Sequence, residues 1–233
     1  MNKNIALVIA GGIGARMNNA IPKQFITVFD KPIIIYTLEK FQNHPSIDAI
    51  FVVCVDGWEN IISSYAKQYS IFKLQGIVKG GRVGQESIKN GLIEISKHYD
   101  KDSIVLIHDA IRPNVSADII SECLNVTRKY GNAITSIPCQ EAMLVTEDGL
   151  SSSCIFSRDK LKRTQTPQGF YLSKLLDIHK KAEQLNISNS IASCTLMIEV
   201  GEKVYFSNGS EKNLKLTTPE DIDIFKALLS ENK

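Results

Sequence analysis

The chain has 233 residues, enough for one large domain or two small ones, and its 43% hydrophobic content belongs to a folded protein with a substantial core. A formal net charge of +2, with a pI near 8.2, excludes a surface built for nucleic acid, so an anionic ligand must be met by locally placed cations. No apolar stretch approaches the roughly 20 residues of a membrane helix and the opening MNKNIALVIAGG carries no signal-peptide cleavage pattern, so no membrane contact and a cytoplasmic setting are expected.

In chain order, short β-rich runs alternate with segments of helical period. NIALVIA (4–10) is a strand, followed by IIIYTLEKFQNH (33–44), AIFVVCV (49–55) and WENIISSYAKQY (58–69). Then come LQGIVKG (74–80), QESIKNGLIEISKHY (85–99), SIVLIHDA (103–110), SADIISECLNVTRKYG (116–131) and AITSIP (133–138). Continuous apolar strands separated by helices predict an α/β fold: a mostly parallel sheet with helices on both faces. Between 139 and 168 the texture changes to two short strands around EDG, a hairpin signal that suggests a β-arm leaving the sheet to meet a partner subunit. A helix at 171–185, an apolar segment at 191–200, strands at 203–207 and 213–216, and a closing helix from Pro219 capped by Thr218 complete one domain over 1–233.

Ligands of open parallel sheets bind at the carboxyl ends of the strands. The first such loop, AGGIGARM, offers Gly11, Gly12 and Gly14, but the third position of a GxGxxG fingerprint falls on Met17, and the GxxxxGK[ST] pattern is also missing. What remains is a turn whose N–H groups can approach an anion, with Arg16 and, in PKQF, Lys23 as neighbouring cations; a purely structural turn is the alternative. IVLIHDAIRP places Asp109 at a strand end, flanked by His108 and Arg112, suited to a divalent metal if a nucleotide supplies the other ligands, or else to a turn in which Arg112 pairs with Asp109. NLKLTTPED sets Lys215 and Thr217 on one face of a short strand, suited to phosphate or simply solvated. TQTPQGF (164–170) is a rigid polar turn. His44, His98 and His179 are expected at the surface. The five cysteines, Cys54, Cys123, Cys139, Cys154 and Cys194, form no CxxC or Cys–His cluster and are expected to be reduced and mostly buried.

Together, AGGIGARM, PKQF, IVLIHDAIRP, TPQGF and NLKLTTPED, in this order, resemble the cytidylyltransferases that activate small sugar-alcohol phosphates. Two branches are in view: methylerythritol phosphate enzymes of isoprenoid synthesis and ribitol 5-phosphate enzymes that supply teichoic acids and capsules. The resemblance implies a homodimeric, Rossmann-like enzyme that joins CTP to a polyol phosphate with Mg²⁺ as cofactor, forming a CDP-polyol and pyrophosphate. It implies that Arg16, Lys23 and Lys215 are catalytic cations, that Ala10, Gly11, Gly12, Gly14, Gly80, Gly81 and Ser87 bind CTP, and that Asp109 ligates the metal. Asp109, Arg112, Arg158, Thr166 and Thr217 are the implied acceptor-binding set, with Arg158 on the β-arm reaching the neighbouring subunit's site.

Two departures qualify the match. The base-selecting loop, usually GGxxRxxS, reads GGRVGQES, with Gly84 for the usual arginine and Arg82 nearby, so either Arg82 takes that role or backbone groups and Ser87 hold the base. Where methylerythritol enzymes usually have Thr-Asp-(Asp/Glu)-Ala-Ser, this chain has Ile191, Ala192, Ser193, Cys194 and Thr195, a loss of polar groups that discriminates against that acceptor. Cys194 and Trp58 favour the ribitol branch, whereas RTQTPQGF and ESIKNGL look more like the methylerythritol branch. A fold-mate that binds nucleotide without turnover and an NAD-dependent oxidoreductase are the rival readings.

Overall fold

The computed structural model describes residues 2–12 and 21–231. The chain opens with β1 (Asn4–Ala10), followed by the two-residue pair β2 (Thr27–Val28) and β3 (Lys31–Pro32) and by α1 (Ile33–Gln42). Three βα units follow: β4 (Ala49–Cys54) with α2 (Glu59–Gln68), β5 (Leu74–Lys79) with α3 (Gly84–Ser96), and β6 (Ile104–Asp109) with α4 (Ala117–Tyr130). Next are β7 (Asn132–Pro138), the hairpin β8 (Met143–Val145) and β9 (Cys154–Phe156), then β10 (Lys162–Tyr171) and α5 (Leu172–Gln184). The chain closes with α6 (Ser193–Glu199), β11 (Phe206–Asn208) and α7 (Pro219–Ser230).

Among the described residues the main sheet has seven strands in the order β11-β7-β10-β6-β1-β4-β5. Every neighbouring pair is parallel except the two made by β10, which runs antiparallel to both β6 and β7. The period of two divides β1 between two cores: Ala6, Val8 and Ala10 face α1, α2 and α4, while Ile5 and Leu7 face α3, α5 and α6. A third, smaller cluster seats α7 through Phe225 against Ile33, Ile111 and Leu216, which anchors the C-terminal loop beside the end of β6. The expected α/β class with a mostly parallel, doubly covered sheet is what the chain adopts. Helix termini follow local chemistry: Ser116 caps α4 by accepting from the Ile119 N–H, and Gly131 at φ 89° ends it. The expected Thr218 cap of α7 is present.

Four expectations are corrected. TQTPQGF is no turn but lies inside β10, so the chain has returned to the central sheet by Lys162 while the hairpin of the expected excursion occupies 143–156. Its polar residues escape a strand reading because Gln165 and Gln168 are buried and satisfied by distant partners: Gln165 donates to Ser210 O at 2.9 Å, and Gln168 accepts from the Cys194 N–H at 3.0 Å. The segment 213–216 forms no strand; the Leu216 N–H donates singly to Ile111 O at 2.9 Å. The strand expected over 203–207 spans only Phe206–Asn208. His44 and His179 are buried, each 3% exposed, not at the surface; His98 is exposed as expected. Four of the cysteines are buried thiols and Cys154, on the hairpin, is exposed.

Burial, with Lys89 nearby, pushes the His179 imidazole down to about 4 from its ordinary 6.5, and its Nε2 has no partner among the described residues. Between these two values the unfolded chain binds the proton that the native ring refuses, so stability falls as pH drops from about 6.5 to about 4. The slope from this residue should be about 1.4 kcal/mol per pH unit. Urea unfolding across this window measures it, and His179→Leu should flatten the dependence; an equally steep curve in the variant refutes the assignment.

Candidate functional site

The carboxyl ends of β1 and β6 open into a cavity of about 300 Å³, bordered also by Thr166 and Gln168 of β10 and by the segment leading into α6. Ala10, Gly12, Lys23, Asp109, Thr166 and Lys215 all line it. Residues more than a hundred positions apart in the sequence therefore meet at one crevice, as the strand-end rule predicts.

One wall is the glycine turn. Gln24 holds it open: the side-chain amide donates to Ala10 O at 2.5 Å and to Gly12 O at 3.2 Å, while the residue itself is 1% exposed. Lys23 begins the short 3₁₀ turn Lys23–Phe25 directly after Pro22, whose fixed φ of −57° aims the turn. Gly14 and Arg16, assigned to the same wall, lie outside the described residues.

Beside it stands the loop between β5 and α3. The Gly80 N–H donates to Cys54 O at 2.8 Å, and a Cβ there would come within 3.1 Å of that oxygen, a crowded contact that glycine avoids where the two loops meet. Ser87 Oγ accepts from the Gly81 N–H and donates to Val83 O, each at 3.0 Å, which pins the loop to the first turn of α3. Arg82 is turned outward, its side chain 94% exposed beside Glu86, and does not line the cavity. Gly84 and Ile88 do line it, whereas Gly80, Gly81 and the buried Ser87 stand behind that edge and do not.

Asp109 ends β6 with a partly buried carboxylate, 23% exposed. Its Oδ2 meets Lys215 Nζ at 3.0 Å and Arg112 Nε at 3.4 Å. Burial alone raises a carboxyl's pKa, but the Lys215 and Arg112 charges outweigh it and hold Asp109 below its ordinary value. Arg112 is fixed from behind: its Nη1 donates to Asn213 O at 2.7 Å, and it does not line the cavity. Arg112 is thus a buttress for Asp109 and not a wall of the acceptor space.

Thr217 also falls outside the cavity. Its Oγ1 donates to Lys215 O at 3.0 Å and its N–H to Asp221 Oδ2 at 2.7 Å, so it shapes the turn that presents Lys215 and does not share a strand face with it. Arg158, in the 3₁₀ turn Arg158–Lys160 at the base of the arm, is exposed and donates to Gln140 O at 2.7 Å; it does not line the cavity. The hairpin beside it is apolar and exposed, with Leu144 at 62% and Ile155 at 81%.

Several working residues escape a motif search. Gln24 belongs to PKQF, yet nothing local shows that its amide reaches back to Ala10. Gln168 lines the cavity and is tied to Cys194 of α6 by the backbone N–H bond and a 3.4 Å contact to Sγ. Asn213 is fully buried, its amide nitrogen donating to Gln165 Oε1 at 3.2 Å and to Thr166 O at 2.9 Å. The remaining wall is Ile191, Ala192 and Ser193, where the methylerythritol pattern places acids.

An anion-approaching glycine turn, two lysines and one carboxylate at the end of a parallel strand make a site for phosphate-rich ligands. The family model for 2-C-methyl-D-erythritol 4-phosphate cytidylyltransferase (IspD) matches residues 4–231. A ribitol-5-phosphate cytidylyltransferase of Lacticaseibacillus paracasei is 41% identical over 230 residues, 98% of each chain. A second, of Vibrio parahaemolyticus, is 39% identical over 227 residues, 97% of this chain and 95% of its own. A 2-C-methyl-D-erythritol 4-phosphate cytidylyltransferase of Clostridium botulinum is 37% identical over 230 residues, 98% of each chain. Among solved structures, the Francisella tularensis 2-C-methyl-D-erythritol 4-phosphate cytidylyltransferase superposes with a TM-score of 0.82 at 25% identity, over 97% of this chain and 99% of its own. With sequence, fold and strand-end site in agreement, the chain belongs to the IspD family of cytidylyltransferases and is a nucleotidyltransferase.

Proposed function

We propose that the protein transfers the cytidylyl group of CTP to D-ribitol 5-phosphate. A phosphate oxygen of the acceptor attacks the α-phosphorus of CTP, the bond from that phosphorus to the bridging oxygen of the β-phosphate breaks, and pyrophosphate leaves with the electron pair, giving CDP-ribitol. The observation that carries the reading is the convergence of Lys23, Lys215 and Asp109 on one cavity beside the glycine turn. Such transfers ask for positioning and charge neutralisation more than for covalent chemistry, and two cations from opposite walls supply both.

In this reading the Ala10–Gly12 backbone and Lys23 hold the triphosphate, while Gly80, Gly81 and Ser87 border the base. Lys215 meets the phosphate charge between nucleotide and acceptor. Asp109 is suited to Mg²⁺: both its ion pairs fall on Oδ2, leaving Oδ1 to a cation, and no cluster of three or more ligating side chains occurs among the described residues. That poverty of protein ligands fits a metal that completes its shell with phosphate oxygens and water. When bound, Mg²⁺ supplies further neutralisation of the triphosphate. The choice of ribitol is supported by the names of the relatives at 39–41% identity and by the wall of Ile191 and Ala192. The second reading, methylerythritol phosphate as acceptor, has the family model and the Clostridium botulinum relative in its favour. We further propose a homodimer in which the apolar hairpin packs on a second copy and Arg158 enters that copy's acceptor site.

Lys23→Ala should lower kcat/KM by on the order of 100-fold or more with the unfolding midpoint unchanged, because the lost charge acts most on the transition state. Steady-state pyrophosphate release together with thermal unfolding checks this, and a variant as fast as the parent removes Lys23 from the mechanism.

Pyrophosphate release from CTP with ribitol 5-phosphate, methylerythritol 4-phosphate, xylulose 5-phosphate or glycerol 3-phosphate tests the acceptor. Ribitol 5-phosphate should lead by roughly 100-fold in kcat/KM, the discrimination a site gains when hydrogen bonds are matched or missed, and EDTA should abolish turnover until Mg²⁺ is restored. Equal or faster turnover of methylerythritol phosphate transfers the assignment to the second reading.

The shared site has its own test. Mixing inactive Arg158→Ala and Lys23→Ala proteins after reversible subunit dissociation should restore activity through hybrid dimers with one intact site, and a mixture as inactive as its parts shows sites built within one chain.

A further inference from the structure

His108 is fully buried at the penultimate position of β6, its ring held edge-on against Phe41 at 5.0 Å between centroids. Both ring nitrogens are engaged. Nε2 lies 3.1 Å from Arg112 O, and Nδ1 lies 3.1 Å from Thr166 Oγ1. A backbone carbonyl can only accept, so the bond to Arg112 O places the ring proton on Nε2 and leaves Nδ1 with a bare lone pair. A lone pair can only accept in turn, so the Thr166 hydroxyl must spend its single proton on Nδ1.

The other side of that hydroxyl is also committed. Thr166 Oγ1 accepts from the Asp109 N–H at 3.1 Å. The backbone that carries the hydroxyl is fixed as well: the Thr166 carbonyl accepts from Asn213 Nδ2 at 2.9 Å, and the following carbonyl, of Pro167, accepts from Thr135 Oγ1 at 2.6 Å. The local ladder is arranged around this point, with the three residues 165–167 of β10 standing against the single residue Thr135 of β7. A hydroxyl carries one proton and two lone pairs. With the proton given to His108 and one lone pair given to the Asp109 N–H, Thr166 has a single lone pair left, on a side chain that lines the cavity.

We infer that His108 is a positioning residue that fixes the polarity of Thr166, so that Thr166 recognises the acceptor only by accepting a hydrogen bond from one of its hydroxyl groups. Phosphate oxygens without a proton find no donor at Thr166; they must be met by Lys215 and Lys23. The cavity thus separates two chemistries along the acceptor, ammonium groups for its phosphate and a proton-accepting threonine for its polyol chain. This inference rests on the polyol-phosphate reading above for the identity of the ligand, whereas the state of the His108–Thr166 pair stands on the protein alone.

The pair is read first, without substrate. In a two-bond ¹H–¹⁵N correlation spectrum of protein labelled in histidine, with the His108 signals assigned by elimination using single variants at His44, His98 and His179, the proton should be on Nε2; a proton on Nδ1 overturns the proposal. Kinetics then read the polarity. Ribitol 5-phosphates in which each hydroxyl in turn is replaced by hydrogen or by fluorine are compared, since fluorine keeps the size and accepting character of the hydroxyl but has no proton to give. At one position both replacements should raise the acceptor KM by roughly three- to tenfold, the worth of one neutral hydrogen bond, with the CTP KM unchanged. Thr166→Val should lose a similar factor with the natural acceptor and nothing more with that analogue. If the fluoro compound keeps full affinity where the deoxy compound loses it, Thr166 is donating and the proposal fails. Should no polyol phosphate turn over at all, the acceptor reading has failed, and the tautomer measurement alone decides the His108–Thr166 pair.

Discussion

A carboxylate at the end of a buried parallel strand is costly to keep charged, and the site is organised around meeting that cost at Asp109. Two cations approach the same oxygen, Lys215 from the C-terminal loop and Arg112 from the turn after β6. Each is held by something else in turn. Arg112 is anchored by Asn213 O, Asn213 reaches Thr166 O, and Thr166 returns to Asp109 through the backbone N–H. The circuit closes over three chain segments far apart in sequence, so the charge at Asp109, the placement of Lys215 and the shape of the cavity are one constraint.

The same circuit explains why α7 matters to a site it does not touch. Phe225 seats that helix on Ile33, Ile111 and Leu216, and Asp221 receives the N–H groups of Thr217 and Thr218. The loop carrying Lys215 is thereby fixed at both ends. The wall around Ala10 and Gly12 depends on a different economy: Gln24 satisfies the carbonyls of both residues with one amide.

Much of this was legible in the sequence because it is local. Continuous apolar runs at β1, β4 and β6 identify buried parallel strands, and the caps of α4 and α7 follow from Ser116, Gly131 and Thr218. The glycines, Lys23, Asp109 and Lys215 are signalled by residue type at strand ends. What escaped is what depends on partners remote in the chain. The β10 segment has polar glutamines and a proline, and nothing nearby discloses that Gln165 and Gln168 find partners at Ser210 and Cys194. His179 looks like one more polar residue of an amphipathic helix until α3 packs over it. Arg112, Thr217 and Arg158 carry plausible chemistry for a ligand, yet two are used to support other side chains and the third stands on the arm. Residue type announces capability, and only the packing decides which atoms remain available.

β10 also joins two places that function separately. Its first residues, Lys162 and Arg163, pair with Pro138 and Ile137 at the foot of the hairpin, and five positions further on Gln168 pairs with Ile107 beneath the cavity. Both ends pair with β7, and the ladder is interrupted between them at 165–167, so Thr166 sits at the irregularity that separates the arm from the cavity floor. In the proposed dimer, subunit contact and cavity lining would belong to consecutive stretches of one strand, so an insertion between Arg163 and Gln168 would change the distance from arm to cavity.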